Sequence, residues 1–147
     1  MRTTLFTLTI LALFATIASA GSLRGAIIVG ADGTFLGTCD GKYGNTSIAN
    51  EYSRYGGRYS STSIFNEYGQ YGSKYGTYSA FNPSTSNAPY ILSGEPELLK
   101  LFTSISYRPT PQITSGLRSS GASRVTANRS LPNGIDPNVL RVACENP

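Results

Sequence analysis

Ser47-Ile48-Ala49-Asn50-Glu51-Tyr52-Ser53-Arg54-Tyr55-Gly56-Gly57-Arg58-Tyr59 is read again, in a register of 16 residues, as Ser63-Ile64-Phe65-Asn66-Glu67-Tyr68-Gly69-Gln70-Tyr71-Gly72-Ser73-Lys74-Tyr75. A third, decayed copy follows at Ser79-Ala80-Phe81-Asn82-Pro83. Tandem copies imply one small structural unit used again. Two local structures compete for it. Ile48, Tyr52, Tyr55 and Tyr59 stand at helical spacing, and Ile64, Tyr68, Tyr71 and Tyr75 repeat that spacing. Against a long helix stand Gly56-Gly57, Gly69 and Gly72, each costing about 1 kcal/mol relative to Ala. The favoured expectation is a one-turn helix at each Ser-x-x-Asn, its N-terminus capped by the Ser, followed by a Gly-rich loop carrying the tyrosines.

Outward from the repeat, the expected fold is mainly β with much irregular structure. Two hairpin-like elements flank the Tyr/Gly-rich repeat, and a short helix closes the chain. Ala26-Ile27-Ile28-Val29 and Thr34-Phe35-Leu36-Gly37-Thr38 read as strands joined at Asp32-Gly33, where Gly tolerates positive φ. Tyr90-Ile91-Leu92 and Leu98-Leu99-Lys100-Leu101-Phe102-Thr103 read as a second pair about a turn at Ser93-Gly94-Glu95-Pro96; a helix over Glu97 to Phe102 is the rival. Residues 108–134, rich in Pro, Ser, Gly, Thr and Arg, read as a mobile connection. Asp136-Pro137 has the form of an N-cap followed by Pro at the first helical position, which starts a helix through Val139, Leu140, Val142 and Ala143.

The first residues carry a different signal. Arg2 precedes an apolar run from Leu5 to Ile17, and Ala18-Ser19-Ala20 supplies small residues before Gly21. This is the pattern of a cleaved secretory signal over residues 1–20, and the run is shorter than the ~20 residues a spanning helix needs. The expected organisation is therefore a signal at 1–20, a repeat-containing domain at 21–107, the connection at 108–134 and the closing helix at 135–147. The expected location is secreted or periplasmic, with no transmembrane segment after signal removal. In an oxidising compartment the two cysteines, Cys39 and Cys144, are expected to form a disulfide tethering the last helix to the first hairpin.

The matched segments resemble a group of small secreted bacterial proteins of uncharacterised function. Asp32-Gly33-Thr34-Phe35-Leu36-Gly37, Ser63 to Tyr75 and Pro89 to Thr103 carry the resemblance. That pattern has tandem Ser-Ile-x-Asn-x-Tyr-Gly-x-Tyr-Gly-Ser-x-Tyr segments between strand pairs. The first copy departs from it at Ser53 and Gly57, and Ser93-Gly94-Glu95-Pro96 departs from its Asp/Gly turn. The resemblance implies an architecture, an exported compartment and a bacterial source, and no activity.

Composition excludes several chemistries. The chain has no His, which removes the commonest general base and zinc ligand together with Ser-His-Asp and Cys-His nucleophile systems. Its 12 Lys/Arg and 8 Asp/Glu are scattered, which gives no nucleic-acid footprint. No metal site and no cofactor are expected: Asn50, Glu51, Asn66 and Glu67 offer oxygens but lack the spacing of a calcium loop. Asn45-Thr46-Ser47 and Asn128-Arg129-Ser130 match the N-glycosylation sequon, which has meaning only in a glycosylating cell.

Nine of the ten tyrosines lie between positions 43 and 90, where Ile48 and Ile64 are the only branched aliphatics. Three roles are open to these rings: a substitute core, contact area beside adaptable Asn, Ser and Gly, or lateral association in a coat or matrix, which only two good copies argue against. Tyr55 and Tyr71, each next to Gly, are the candidate binding residues. The expected function is a non-catalytic interaction or structural protein, its partner a protein or glycan at the cell exterior. The alternatives are a glycan-binding module and a His-independent hydrolase using carboxylates or a Ser–Lys pair.

Overall fold

The computed structural model describes residues 23–147. The expected signal at 1–20 lies outside these residues. Strands β1 (Ile27–Val29), β2 (Phe35–Thr38), β3 (Tyr90–Leu92), β4 (Arg124–Val125) and β5 (Gly134–Ile135) form one mixed sheet in the order β2-β1-β3-β4-β5. Helices α1 (Pro96–Thr103), α2 (Pro111–Ser119) and α3 (Pro137–Glu145) complete the regular structure.

The β1–β2 hairpin forms about Asp32-Gly33, as its sequence predicts. Gly33 has φ +88°, and the Asp32 carboxylate accepts the Thr34 N–H at 3.1 Å. Two tyrosines from distant segments hold the turn. The Tyr71 hydroxyl donates to Asp32 Oδ2 at 2.7 Å, and the Tyr107 hydroxyl donates to the Gly33 carbonyl at 2.5 Å.

β1 pairs antiparallel with β2 on one side and β3 on the other. Both of its faces are buried. Ile28 joins Leu36, Ile48, Ile64, Ile91, Val125 and Leu140 in one core; Ile27 and Val29 join Leu92, Leu98, Phe102, Ile113 and Leu117 in another. The repeat and α3 thus cover one face of the sheet, and α1 and α2 cover the other. This explains the unbroken apolar run of β1, since a strand wet on one face would alternate.

The expected second hairpin is corrected. β3 forms, but its intended partner strand is α1. Pro96 at the first helical position has no N–H to lose and presets φ, and Leu and Lys are better helix formers than strand formers. Leu98 and Phe102, four apart, then fall on one buried side. β3 pairs instead with β1 and β4. Residues 108–134, expected as a mobile connection, carry α2 and β4. The Thr110 hydroxyl accepts the Ile113 N–H at 3.3 Å to cap α2, and Ile113, Gly116 and Leu117 bury one face. Arg124 locks β4 in place: its guanidinium donates to the carbonyls of Ala88 and Ser86 and lies 3.9 Å from the Tyr90 ring centroid.

α3 begins at Asp136-Pro137, where the Asp136 carboxylate accepts the N–H groups of Asn138 and Val139. Pro137, Leu140 and Cys144 face inward. Cys144 and Cys39 are joined in a disulfide with 4.8 Å between their Cα atoms, and both are fully buried.

Candidate functional site

The repeat is a ribbon of successive turns. Its joints are linked backbone to backbone: Asn50 N–H to Ser47, Ser53 to Asn50, Gly57 to Ser53, Ser60 to Gly57 and Ser63 to Ser60. The next copy runs Asn66 to Ser63, Gly69 to Asn66, Ser73 to Gly69, Gly76 to Ser73 and Ser79 to Gly76. Four steps of three residues and one of four make the 16-residue register. Every joint is Gly, Ser or Asn, small enough to turn inward and able to bond its own backbone.

The Ser and Asn side chains repeat their bonds in all three copies. Ser47, Ser63 and Ser79 accept the N–H two residues ahead, at 3.2, 3.1 and 3.0 Å. Asn50, Asn66 and Asn82 each accept the N–H two ahead and donate to the carbonyl six behind. The third copy, decayed in sequence, is therefore complete in these bonds. The Ser hydroxyl acts on a single turn here rather than capping a helical one. Ile48, Ile64 and Ala80, each following its Ser, are fully buried.

The tyrosines divide sharply. Tyr43, Tyr52, Tyr59, Tyr68 and Tyr75 are 80–91% exposed. Tyr71 is buried at 3% exposure, and burial pushes its phenol up to about 12, with a further rise from Asp32. Tyr71, named as a candidate binding residue, is thus a structural anchor, because its ring spans from the repeat to the hairpin turn. Tyr55, the equivalent residue one copy earlier, is half-buried with its ring edge-on to Phe35 at 5.1 Å. It lines a cleft of about 450 Å³ with Arg54, Tyr107 and Arg108. The structure does not bring Tyr55 and Tyr71 together in this cleft.

A second cleft, of about 490 Å³, lies on the second copy of the repeat. Phe65, Phe81, Tyr68 and Tyr75 line it, and Glu67, Ser73 and Lys74 add polar groups. Phe65 and Phe81 meet edge to face at 6.1 Å. The preceding copy differs: Ala49 stands where the second has Phe65, and Glu51, the equivalent of Glu67, is 3.8 Å from Arg141 of α3. Sequence reasoning named Glu67 but not Tyr68, Tyr75 or the two Phe as a group. Tyr52, Tyr59, Tyr68 and Tyr75 each stand last before a joint, which is the shared signal, although Tyr78, last before Ser79, packs against the core instead.

Among the described residues no group of three or more His, Cys, Asp or Glu could hold a metal ion, and no helix is long and apolar enough to cross a membrane. The chain matches no protein-family model, no curated protein and no solved structure.

Proposed function

We propose that the protein is an exported, non-catalytic interaction module that recognises a protein or glycan partner outside the cell or in the periplasm through the outward tyrosines of its repeat. The observation that carries this reading is the exposure of Tyr43, Tyr52, Tyr59, Tyr68 and Tyr75 at recurring turn positions. Tyr brings large contact area at low entropy cost, and five such rings held by one ribbon are a costly surface to leave in water without a partner. Export rests on residues 1–20 and agrees with the buried Cys39–Cys144 bridge, which an oxidising compartment preserves.

The test is capture from the exported fraction and from cell-envelope glycan, comparing the wild type with a Tyr43→Ala/Tyr59→Ala/Tyr75→Ala variant and a Tyr52→Ala/Tyr68→Ala variant. These side chains are exposed, so the variants keep the fold, checked by thermal unfolding. A saturable partner lost in either variant supports the reading. Equal capture by the wild type and both variants, or no specific capture at all, refutes it.

A further inference from the structure

The cleft on the second repeat copy has a chemistry that narrows the partner, and the following rests on the interaction reading above. We propose that it binds a neutral oligosaccharide of equatorially substituted pyranoses, such as a β-1,4-linked chain of glucose or N-acetylglucosamine. Three features carry this.

First, four aromatic rings, Phe65, Phe81, Tyr68 and Tyr75, line a volume of about 490 Å³. That lies in the ~300–1,000 Å³ range of ligand clefts. An aromatic face carries partial negative charge. An equatorially substituted pyranose turns its axial C–H bonds, which are partially positive, toward such a face on both sides.

Second, Glu67 and Lys74 line the same cleft, and neither makes an ion pair or side-chain hydrogen bond with another described residue. A sugar hydroxyl donates and accepts through one oxygen, so a free carboxylate and a free ammonium satisfy it together. One charge of each sign gives no preference for a charged ligand. Glu51, the equivalent acid of the first copy, instead faces Arg141, whose guanidinium also lies 5.1 Å from the Phe65 ring centroid. The second copy is thus the one whose acid is left for a ligand.

Third, the cleft is walled by turns rather than by a strand. The N–H groups of Asn66, Gly69, Gly72, Ser73 and Gly76 are all bonded within the ribbon. No strand edge is offered for an extended peptide to join. A Pro-rich peptide, the other ligand suited to aromatic grooves, presents mainly carbonyl acceptors, which Lys74 can satisfy but which leave the Glu67 carboxylate without a donor, whereas a sugar hydroxyl serves both.

The experiment titrates the disulfide-bonded protein with cellotetraose, chitotetraose, maltotetraose and a Pro-rich decapeptide. Calorimetry gives affinity, and NMR follows the Tyr68 and Tyr75 ring signals. Cellotetraose or chitotetraose is expected to move both rings. Tyr68→Ala and Tyr75→Ala are each expected to weaken binding about tenfold, Tyr75→Phe by much less, and Glu97→Ala, on the exposed side of α1, not at all. Maltotetraose, whose axial linkage breaks the flat ribbon, is expected to bind about tenfold more weakly. Glu67→Gln tests the acceptor and is expected to weaken binding without changing thermal unfolding. The proposal falls if neither β-linked tetraose moves these rings, if binding survives both alanine variants, or if the peptide is the ligand that occupies the cleft. Should the tetraoses fail while another partner is captured through the repeat tyrosines, the glycan assignment falls and the interaction reading stands. Failure of both removes both.

Discussion

Replacing Asn66 by Ala tests whether the turn ribbon, rather than its tyrosines, holds the repeat together. Asn66 is 7% exposed. Its side-chain amide donates to the Ser60 carbonyl at 3.0 Å, and its side-chain oxygen accepts the Tyr68 N–H at 3.0 Å. Alanine removes both bonds and strands two backbone groups. Each lost bond costs about 1 kcal/mol, and more where the abandoned partner stays out of water, so the expected loss is about 2–3 kcal/mol. For a domain of this size that corresponds to a fall in Tm of about 8–12 °C. The assay is thermal and urea unfolding with the disulfide intact. Asn66→Asp separates the two bonds. It keeps an acceptor for Tyr68 but points a carboxylate at the Ser60 carbonyl, so at neutral pH it is expected to be at least as damaging as Ala. Below about pH 4 the protonated acid regains a donor, and its deficit against the wild type is expected to shrink. A fall in Tm below about 3 °C for Asn66→Ala, or wild-type behaviour of Asn66→Asp at pH 7, would refute the reasoning.

Three further outcomes are expected. Gly72→Ala places a Cβ against the Asn66 carbonyl oxygen and 2.7 Å from that of Ile64; backbone cannot step aside as a side chain can, so a loss of about 3 kcal/mol is expected in urea unfolding, whereas free accommodation would show Tm unchanged. Cys144→Ala opens a bridge between residues 105 apart, with an expected loss of about 4 kcal/mol and fast amide exchange in α3; exchange as slow as in the wild type would show that packing of Leu140 alone holds the helix. Tyr71 has its folded pKa raised to about 12 from 10.0, chiefly by burial, so above pH 10 the unfolded state holds fewer protons than the native one; its contribution, complete below pH 10, is lost as pH rises toward 12. Denaturant midpoints measured from pH 9 to 12 should therefore decline, and less steeply in Tyr71→Phe relative to that variant's own neutral value.

Signals that act within a few residues were legible in the chain. Asp32-Gly33 turns wherever it is placed, and Asp136-Pro137 starts a helix, because cap and φ preset are local. The rule for the ribbon was also present: from Ser47 onward nearly every third residue is Gly, Ser, Asn or Thr. The helical spacing of the tyrosines hid it, since a repeat of three and a helix of 3.6 residues per turn place similar residues on similar intervals. At Leu98 to Thr103 a short apolar run fits strand and helix equally in pattern, and the choice of α1 came from Pro96 and from the space between Leu92, Ile113 and Leu117. In the site, Glu67 was visible as a repeated acid, but its freedom was not, because it depends on where Arg141 of α3 comes to rest.

What the chain determined by itself, then, is the 16-residue register, the Asp32-Gly33 hairpin, the start of the last helix and a single possible pairing for its two cysteines. Each follows from short-range sterics, backbone bonding or simple count. The tertiary structure alone decided which tyrosines serve as core and which as surface. Tyr55 and Tyr71 occupy equivalent places in two copies that agree at 8 of 13 positions, yet one is half-buried against Phe35 and the other is buried with its hydroxyl on Asp32. A repeat makes its copies locally alike; the sheet and helices against which it packs do not repeat, so burial differs between residues that the sequence makes equivalent.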